Sequence, residues 1–414
     1  YELGPQHKLA GQVTRMVCEF TGFDRAALCN TGSEAVLGAL RMARTVTGRS
    51  LVVTFAGSYH GIFDEVISRG STSHQSYPAA LGIPSEAVQN VLILDYGTDE
   101  SLQIIQERAS ELAAVLVEPV QSRRPEFQPV DFLKRVRVIT ESSGTALIFD
   151  EVITGFRMHP GGAQALFGVK ADLATYGKVI GGGLPIGVVA GKAAFMDALD
   201  GGYWQYGDDS YPQADITFFA GTFVRHPLAL AASHASLQYL REQGPALQER
   251  LTAKAKLLAD MLNIAFIKQQ LPMLIAQFGS LWKLKFTEDV PYGELLFILM
   301  REKGIHIWEG FPCFMTEAHT EDDIQQIVSA FLDCVQVLVK AQFLQPKGPL
   351  ISDLLQVYNQ ANQPPIPGAR LGRDQQGNPG WFISDPDRPG KYRQVVEDLQ
   401  TGQPQNISLK TNCQ

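Results

Sequence analysis

Ala146-Leu147-Ile148-Phe149-Asp150-Glu151-Val152-Ile153-Thr154-Gly155 is the stretch whose reading decides the fold. Four apolar residues run without interruption into two carboxylates, and a glycine follows four residues after the second. A strand with one wet face alternates polar and apolar residues. A continuous apolar run suits a strand covered on both faces. Similar runs occupy Leu51–Phe55, Val91–Leu94 and residues 113–117 and 187–190, and helix-like stretches at 33–47, 102–113 and 132–142 lie between them. Strands alternating with helices predict an α/β fold built on a largely parallel sheet. Such open sheets place ligands at the carboxyl ends of their strands, which is where Asp150 and Glu151 fall.

Beyond about residue 245 the pattern changes. A long helical stretch at 246–267, a strand candidate at 280–286, a helix at 292–303, an apolar run at 304–308 and a helix at 321–340, capped by Thr320, predict a smaller α+β domain. From 343 on, the last 72 residues hold nine of the 23 prolines, with breakers at Pro364-Pro365-Ile366-Pro367-Gly368, Gly377-Asn378-Pro379-Gly380 and Arg388-Pro389-Gly390. The expected organisation is a large domain over 1–244, a small domain over 245–342 and a Pro/Gly-rich linker over 343–414. Trp381, Phe382 and Tyr392 leave open whether that tail is flexible or docks on a neighbouring surface.

Composition narrows the function classes. The chain has 414 residues, 45% hydrophobic and 19% charged, which is ordinary globular usage. No run is long and apolar enough to suggest a membrane span. A net charge of −8 without a Lys/Arg block argues against a nucleic-acid partner. Five scattered cysteines (Cys18, Cys29, Cys313, Cys334, Cys413) form neither a metal-ligand spacing nor a disulfide framework, so no metal and a reducing, cytoplasmic setting are expected. The chain opens on Tyr1 and carries no secretory signal, which reads as a piece of something longer.

Four segments carry chemistry. Asn30-Thr31-Gly32-Ser33-Glu34 precedes a helix that stops at Gly48; Gly32 and Ser33 there suit an anion, and Ser33 alone is also compatible with a plain N-cap. Asp150-Glu151 is suited to pairing with a cation or to a structural role. Gly177-Lys178-Val179-Ile180-Gly181-Gly182-Gly183 sets one lysine in an otherwise uncharged stretch; burial would keep its amine neutral, as Schiff-base chemistry requires, whereas a turn lysine would stay charged. Gly221-Thr222 is a weaker anion candidate. The glycines at 181–187 do not match a dinucleotide fingerprint, and 187–193 falls short of a P-loop, which disfavours both classes.

Taken together these segments, with Tyr59-His60-Gly61, Glu118-Pro119-Val120 and Gly155-Phe156-Arg157, resemble the class III pyridoxal-phosphate aminotransferases of fold type I. The resemblance runs from about residue 5 to 340. It implies a large domain with a mostly parallel seven-stranded sheet plus a smaller C-terminal α+β domain, and pyridoxal 5′-phosphate as cofactor. It implies Lys178 as the Schiff-base lysine and proton carrier, and Asp150 as the partner of the pyridine nitrogen. Gly32 and Ser33 are then phosphate ligands. Tyr59 stacks on the ring with His60 beside it, Val152 packs on the opposite face, and Thr222 reaches the phosphate of a partner subunit in a homodimer with shared sites. Glu118 is expected near the site entrance.

Two features depart from the family. Arg225-His226-Pro227 replaces the Gly-Asn-Pro common after the Gly-Thr pair, and Arg123-Arg124 follow Glu118-Pro119-Val120-Gln121-Ser122. Arg123 and Arg124 are candidates for holding a donor carboxylate or a carrier's phosphopantetheine phosphate, against the alternative of a solvated loop. The tail, with Pro365-Ile366-Pro367-Gly368-Ala369-Arg370-Leu371-Gly372-Arg373-Asp374 and Gly380-Trp381-Phe382-Ile383, resembles the linker after aminotransferase domains of mixed polyketide/nonribosomal-peptide synthetases, of the cyanobacterial microcystin or nodularin toxin type. That resemblance implies amination of a β-keto acyl thioester on an acyl carrier protein, with glutamate as donor. The alternatives are a glutamate-1-semialdehyde-type aminomutase and a non-catalytic scaffold domain.

Overall fold

The structure is a computed structural model describing residues 6–71, 75–345, 370–373, 379–384, 392–397 and 404–405. It divides into two compact units, one of residues up to 263 together with 272–334, the other of 264–271 with the chain from 335 on. The boundary expected at 244/245 falls inside the first unit.

The core of the first unit is a seven-stranded sheet of β1 (Arg25–Cys29), β2 (Leu51–Phe55), β3 (Val91–Leu94), β4 (Leu112–Val117), β5 (Ala146–Asp150), β6 (Leu173–Gly177) and β7 (Gly187–Gly191). Its order is β1-β7-β6-β5-β4-β2-β3. β3, β2, β4, β5 and β6 are mutually parallel, whereas β7 runs antiparallel to both neighbours. The expected architecture, a mostly parallel seven-stranded sheet, is therefore present. Every residue of β4, β5 and β6 is buried, the reason their sequences are apolar rather than alternating.

Strand parity sorts these side chains onto two faces. Ala146 and Ile148 of β5 and Leu173 of β6 pack with Val36, Leu40 and Ala43 of α2 (Gly32–Thr47). Leu147 and Phe149 of β5, with Ala174 and Tyr176 of β6, join a second core. That core also contains Val13 and Val17 of α1 (Lys8–Thr21) and Leu133 and Val136 of α4 (Val130–Ser143), named after α3 (Asp99–Glu107). Further along lie α5 (Gly162–Phe167), α6 (Pro227–Gln243), α7 (Ala246–Lys268), α8 (Leu295–Glu302) and α9 (Glu321–Lys340).

Several expected boundaries move. The helix read over 102–113 ends at Glu107, because Leu112 and Ala113 are buried strand residues of β4. The helix read from 292 begins at Leu295, since Tyr292 takes φ 60°, outside the helical region. A second antiparallel sheet joins β8 (Met273–Phe278), β9 (Leu281–Phe286) and β10 (Cys313–Phe314), while residues 304–308 form no strand. Thr320 caps α9 as expected, its Oγ1 accepting from the Asp323 N–H while Asp323 accepts from the Thr320 N–H.

Part of the stretch read as a linker is regular. β11 (Arg370–Arg373), β12 (Pro379–Ser384), β13 (Tyr392–Glu397) and β14 (Pro404–Gln405) form an antiparallel sheet in that order. The breakers at 364–368 and 388–390 lie outside the described residues. No helix among the described residues is long and apolar enough to cross a membrane.

Candidate active site

β5 delivers its two carboxylates to different places. Asp150, two residues after Ile148, inherits the α2 face. It pairs in register with Thr175 of β6, whose hydroxyl donates to Asp150 Oδ1 at 3.3 Å. The Val152 N–H donates to the same oxygen at 3.2 Å, and Oδ2 lies 2.8 Å from His60 Nδ1. His60 is buried, and its Nε2 has no protein partner.

Glu151 turns the other way. Its carboxylate is fully buried and accepts from the Thr154 hydroxyl at 2.5 Å, the Ala163 N–H at 2.8 Å and the Gln164 N–H at 2.9 Å. It caps the start of α5, and burial pushes its pKa up. The sequence left open whether this acidic pair is functional or structural. The geometry separates the two: Glu151 is spent on capping α5, and Asp150 faces the cavity.

The first turn of α2 faces Asp150. Thr31 is the N-cap, accepting from the Glu34 N–H at 3.2 Å, and Glu34 in turn accepts from the Asn30 N–H at 2.6 Å. The plain N-cap reading of Ser33 is thereby replaced: Thr31 does the capping. Ser33 Oγ, freed from that task, accepts from the Ile62 N–H at 3.2 Å. The N–H groups of Gly32 and Ser33 have no acceptor within the helix, and the helix dipole adds partial positive charge beside them. Gly32 is also sterically fixed, since a Cβ there would meet both Val152 methyls at 2.8 and 2.9 Å.

Lys178 follows β6 directly, in the left-handed region at φ 46°. It makes no hydrogen bond or ion pair among the described residues. Solvent reaches it through the cavity, yet partial burial is the main cause that lowers its pKa. The charge of Asp150 opposes that shift and the charge of Arg157 adds to it.

Gly32, Ser33, Tyr59, His60, Asp150, Val152 and Lys178 line a single cavity of about 510 Å³, with Glu118 in its wall. Glu118 is buried rather than standing at an entrance. Its carboxylate accepts from the Tyr59 N–H at 3.0 Å and the Ser122 N–H at 3.3 Å, and burial pushes its pKa up. It therefore holds the Tyr59 loop. Arg123 and Arg124 do not line the cavity: the turns Arg124 N–H to Gln121 O and Phe127 N–H to Arg124 O leave both side chains exposed. The Arg124 guanidinium lies 4.6 Å over the Phe127 ring. Thr222 is exposed and lies outside this cavity in the single chain. Asn30, Glu34 and Arg157 stand in quoted motifs without a role assigned from sequence, and Thr175 has none either; helix capping and strand register are the signals that point to the Asn30–Glu34 bracket and to Thr175.

The aminotransferase class-III family model matches residues 3–335. The chain belongs to the class-III aminotransferases. A glutamate-1-semialdehyde 2,1-aminomutase of Archaeoglobus fulgidus is 36% identical over 327 residues, 75% of each chain. Among solved structures, a transaminase with PLP bound superposes with a TM-score of 0.73 at 27% identity, covering 82% of this chain and 80% of its own. An omega-transaminase from Sphaerobacter thermophilus gives 0.72 at 26%, covering 81% and 79%. The site residues of this class-III member thus converge at the carboxyl edge of a sheet shared with transaminases.

Proposed function

We propose that this class-III member uses pyridoxal 5′-phosphate, held at Lys178 and Asp150, to move an amino group. The observation that carries the reading is the convergence of an amine whose pKa partial burial lowers, a carboxylate braced by His60, and the open first turn of a helix in one cavity. The donor set fits the cofactor. Gly32 and Ser33 hold its phosphate with first-turn N–H groups and a hydroxyl. Tyr59 and Val152, both in the cavity lining, would pack against its ring. Asp150 keeps its ring nitrogen protonated, and His60 with Thr175 fixes the carboxylate's direction. Bound there, the cofactor supplies a carbonyl for the amine and a ring that takes up the electron pair of a broken Cα–H bond. Lys178 would carry that proton on Nζ, accepting it from the substrate Cα and giving it back in the second half of the reaction.

Two finer readings share these residues. The relatives' name favours an aminomutase of the glutamate-1-semialdehyde type, which shifts an amine within one molecule. Transfer from glutamate to a β-keto acyl thioester on a carrier protein rests on the tail's likeness to synthetase linkers. One experiment separates them. The wild type and Lys178→Ala are loaded with pyridoxal phosphate, and each is given glutamate with a carrier-bound β-keto thioester, or glutamate-1-semialdehyde alone. Formation of 2-oxoglutarate with a matching mass gain on the carrier supports transfer, whereas isomerisation without a donor supports the mutase. Turnover by Lys178→Ala equal to wild type would sink both.

Thr222 belongs in this reading through a second copy of the chain. Members of the family are commonly homodimers. The segment around it exposes Tyr206, Tyr211, Ile216, Phe218 and Phe223, an apolar display suited to burial against a partner. A dimer would bring Thr222 to the neighbouring cavity.

A further inference from the structure

Arg157 has no anionic partner among the described residues. Its Nε donates to the Ile153 carbonyl at 3.2 Å, and its guanidinium carbon lies 3.9 Å over the Phe314 ring. Those two contacts leave both terminal NH₂ groups without an acceptor among the described residues. Burial alone pulls its pKa down to about 10. Other half-buried arginines have their terminal nitrogens occupied: Arg44 pairs with Glu65, Arg137 with Asp172, and Arg49 donates to the carbonyls of Ala109, Leu112 and Ser143. The side chain is half-buried, so its free NH₂ groups stay open to solvent, and a carboxylate arriving there would meet a guanidinium already partly stripped of water.

Its backbone is held in place. Phe156 before it is buried at φ 60°, packed edge-on against Phe20 at 5.7 Å and Tyr176 at 5.2 Å. Gln248 donates to the Phe156 carbonyl at 2.9 Å, and the Arg157 N–H donates to Thr154 O at 3.2 Å. Arg157 is also near enough to Lys178 for its charge to depress the lysine pKa, and Ile153, which its Nε grips, lines the cavity. A fixed guanidinium with an open planar fork, held to a residue of the cavity wall, matches a carboxylate in two parallel hydrogen bonds.

We propose that Arg157 binds the carboxylate of the amino-acid or keto-acid reactant, making this site selective for carboxylate-bearing amines. The proposal rests on the cofactor reading above and adds the class of reactant.

The test is equilibrium binding of glutarate and of its uncharged analogue glutaramide to the pyridoxal-phosphate-loaded protein by titration calorimetry. The wild type should bind glutarate in preference to glutaramide. Arg157→Gln should weaken glutarate binding roughly 10- to 100-fold, the scale of a hydrogen bond to a charged group, and leave glutaramide binding little altered. Arg157→Lys, which keeps the charge and loses the fork, should fall between and decides the matter if the glutamine variant fails to fold. Absence of a glutarate preference in the wild type, or equal glutarate affinity in a folded variant, overturns the proposal. Failure of the wild type to take up the cofactor at all, read from its absorbance, instead overturns the reading beneath it.

Discussion

Gly32→Ala tests the close approach on which the cavity's width depends. A Cβ at position 32 would stand 2.8 Å from one Val152 methyl, about 0.6 Å inside the 3.4 Å at which ordinary contact begins. Gly32 is the first residue of α2 and not a left-handed glycine. On backbone grounds alone, alanine there would stabilise the helix by about 0.5–1 kcal/mol. Overpacking of this kind costs about 1–3 kcal/mol, so the contact outweighs the propensity and the net change is destabilising by roughly 0–2.5 kcal/mol. Relief comes from pushing Val152 into the cavity or moving the first turn of α2, and either disturbs the cofactor's bed. Urea unfolding of the cofactor-free protein and a pyridoxal-phosphate titration read the two consequences separately. Gly32→Ala/Val152→Ala should recover much of both losses, with a coupling of about 0.5–3 kcal/mol between the sites. A Gly32→Ala protein as stable as wild type or more so, with unchanged cofactor affinity, would show that α2 and Val152 do not meet as described.

Asp150→Asn keeps size and hydrogen-bonding reach but removes the charge beside His60; cofactor should still bind, with kcat down roughly 100-fold or more and a folded circular-dichroism spectrum. Glu151→Gln should do the reverse, because an amide cannot accept all three donors now served; a loss of about 1.5–3 kcal/mol on urea unfolding is expected, with kcat little changed. For Lys178 the rate of adduct formation between cofactor-free protein and pyridoxal phosphate should rise with pH and level off below the 10.5 of an ordinary lysine, because only the neutral amine reacts. Asp150→Asn should move that midpoint further down and Arg157→Gln should move it up, since the two charges act with opposite sign; a profile still climbing at pH 10.5 would contradict the burial argument.

Much of this arrangement is legible before any coordinates. The runs at 147–149, Leu51–Phe55 and Val91–Leu94 mark doubly covered strands because burial on both faces leaves no room for polar side chains. Lys178 stands out because it is the one charge in its segment. The less visible residues depend on pairing. Nothing local distinguishes Thr175 from any strand threonine until β6 lies in register with β5. Arg25–Cys29 opens with a charge, and its side chains are only partly buried over the first three residues, so its sequence lacks the continuous apolar signature. Glu118 and the Arg123-Arg124 pair share a loop, but the two backbone turns that bury the first and expose the others follow from where β4 ends. Arg157 belongs to a motif legible in the sequence, but its partners are not: only the structure shows Phe314 under its guanidinium and no facing carboxylate among the described residues.

The separation of Asp150 from Glu151 follows from the same parity that builds the core. Ala146 and Ile148 must face α2 and Leu147 and Phe149 must face the opposite layer. Position 150 is thereby committed to the side where the first turn of α2 opens, and 151 to the side where α5 begins. A one-residue slip of β5 would exchange every one of these assignments at once, burying the wrong apolar set and presenting Glu151 in place of Asp150. The apolar core that fixes the register therefore also fixes which carboxylate meets His60 and Lys178. A second change that restored a carboxylate nearby without restoring that register could not replace Asp150: its oxygens would lack the Val152 and Thr175 donors that set its direction.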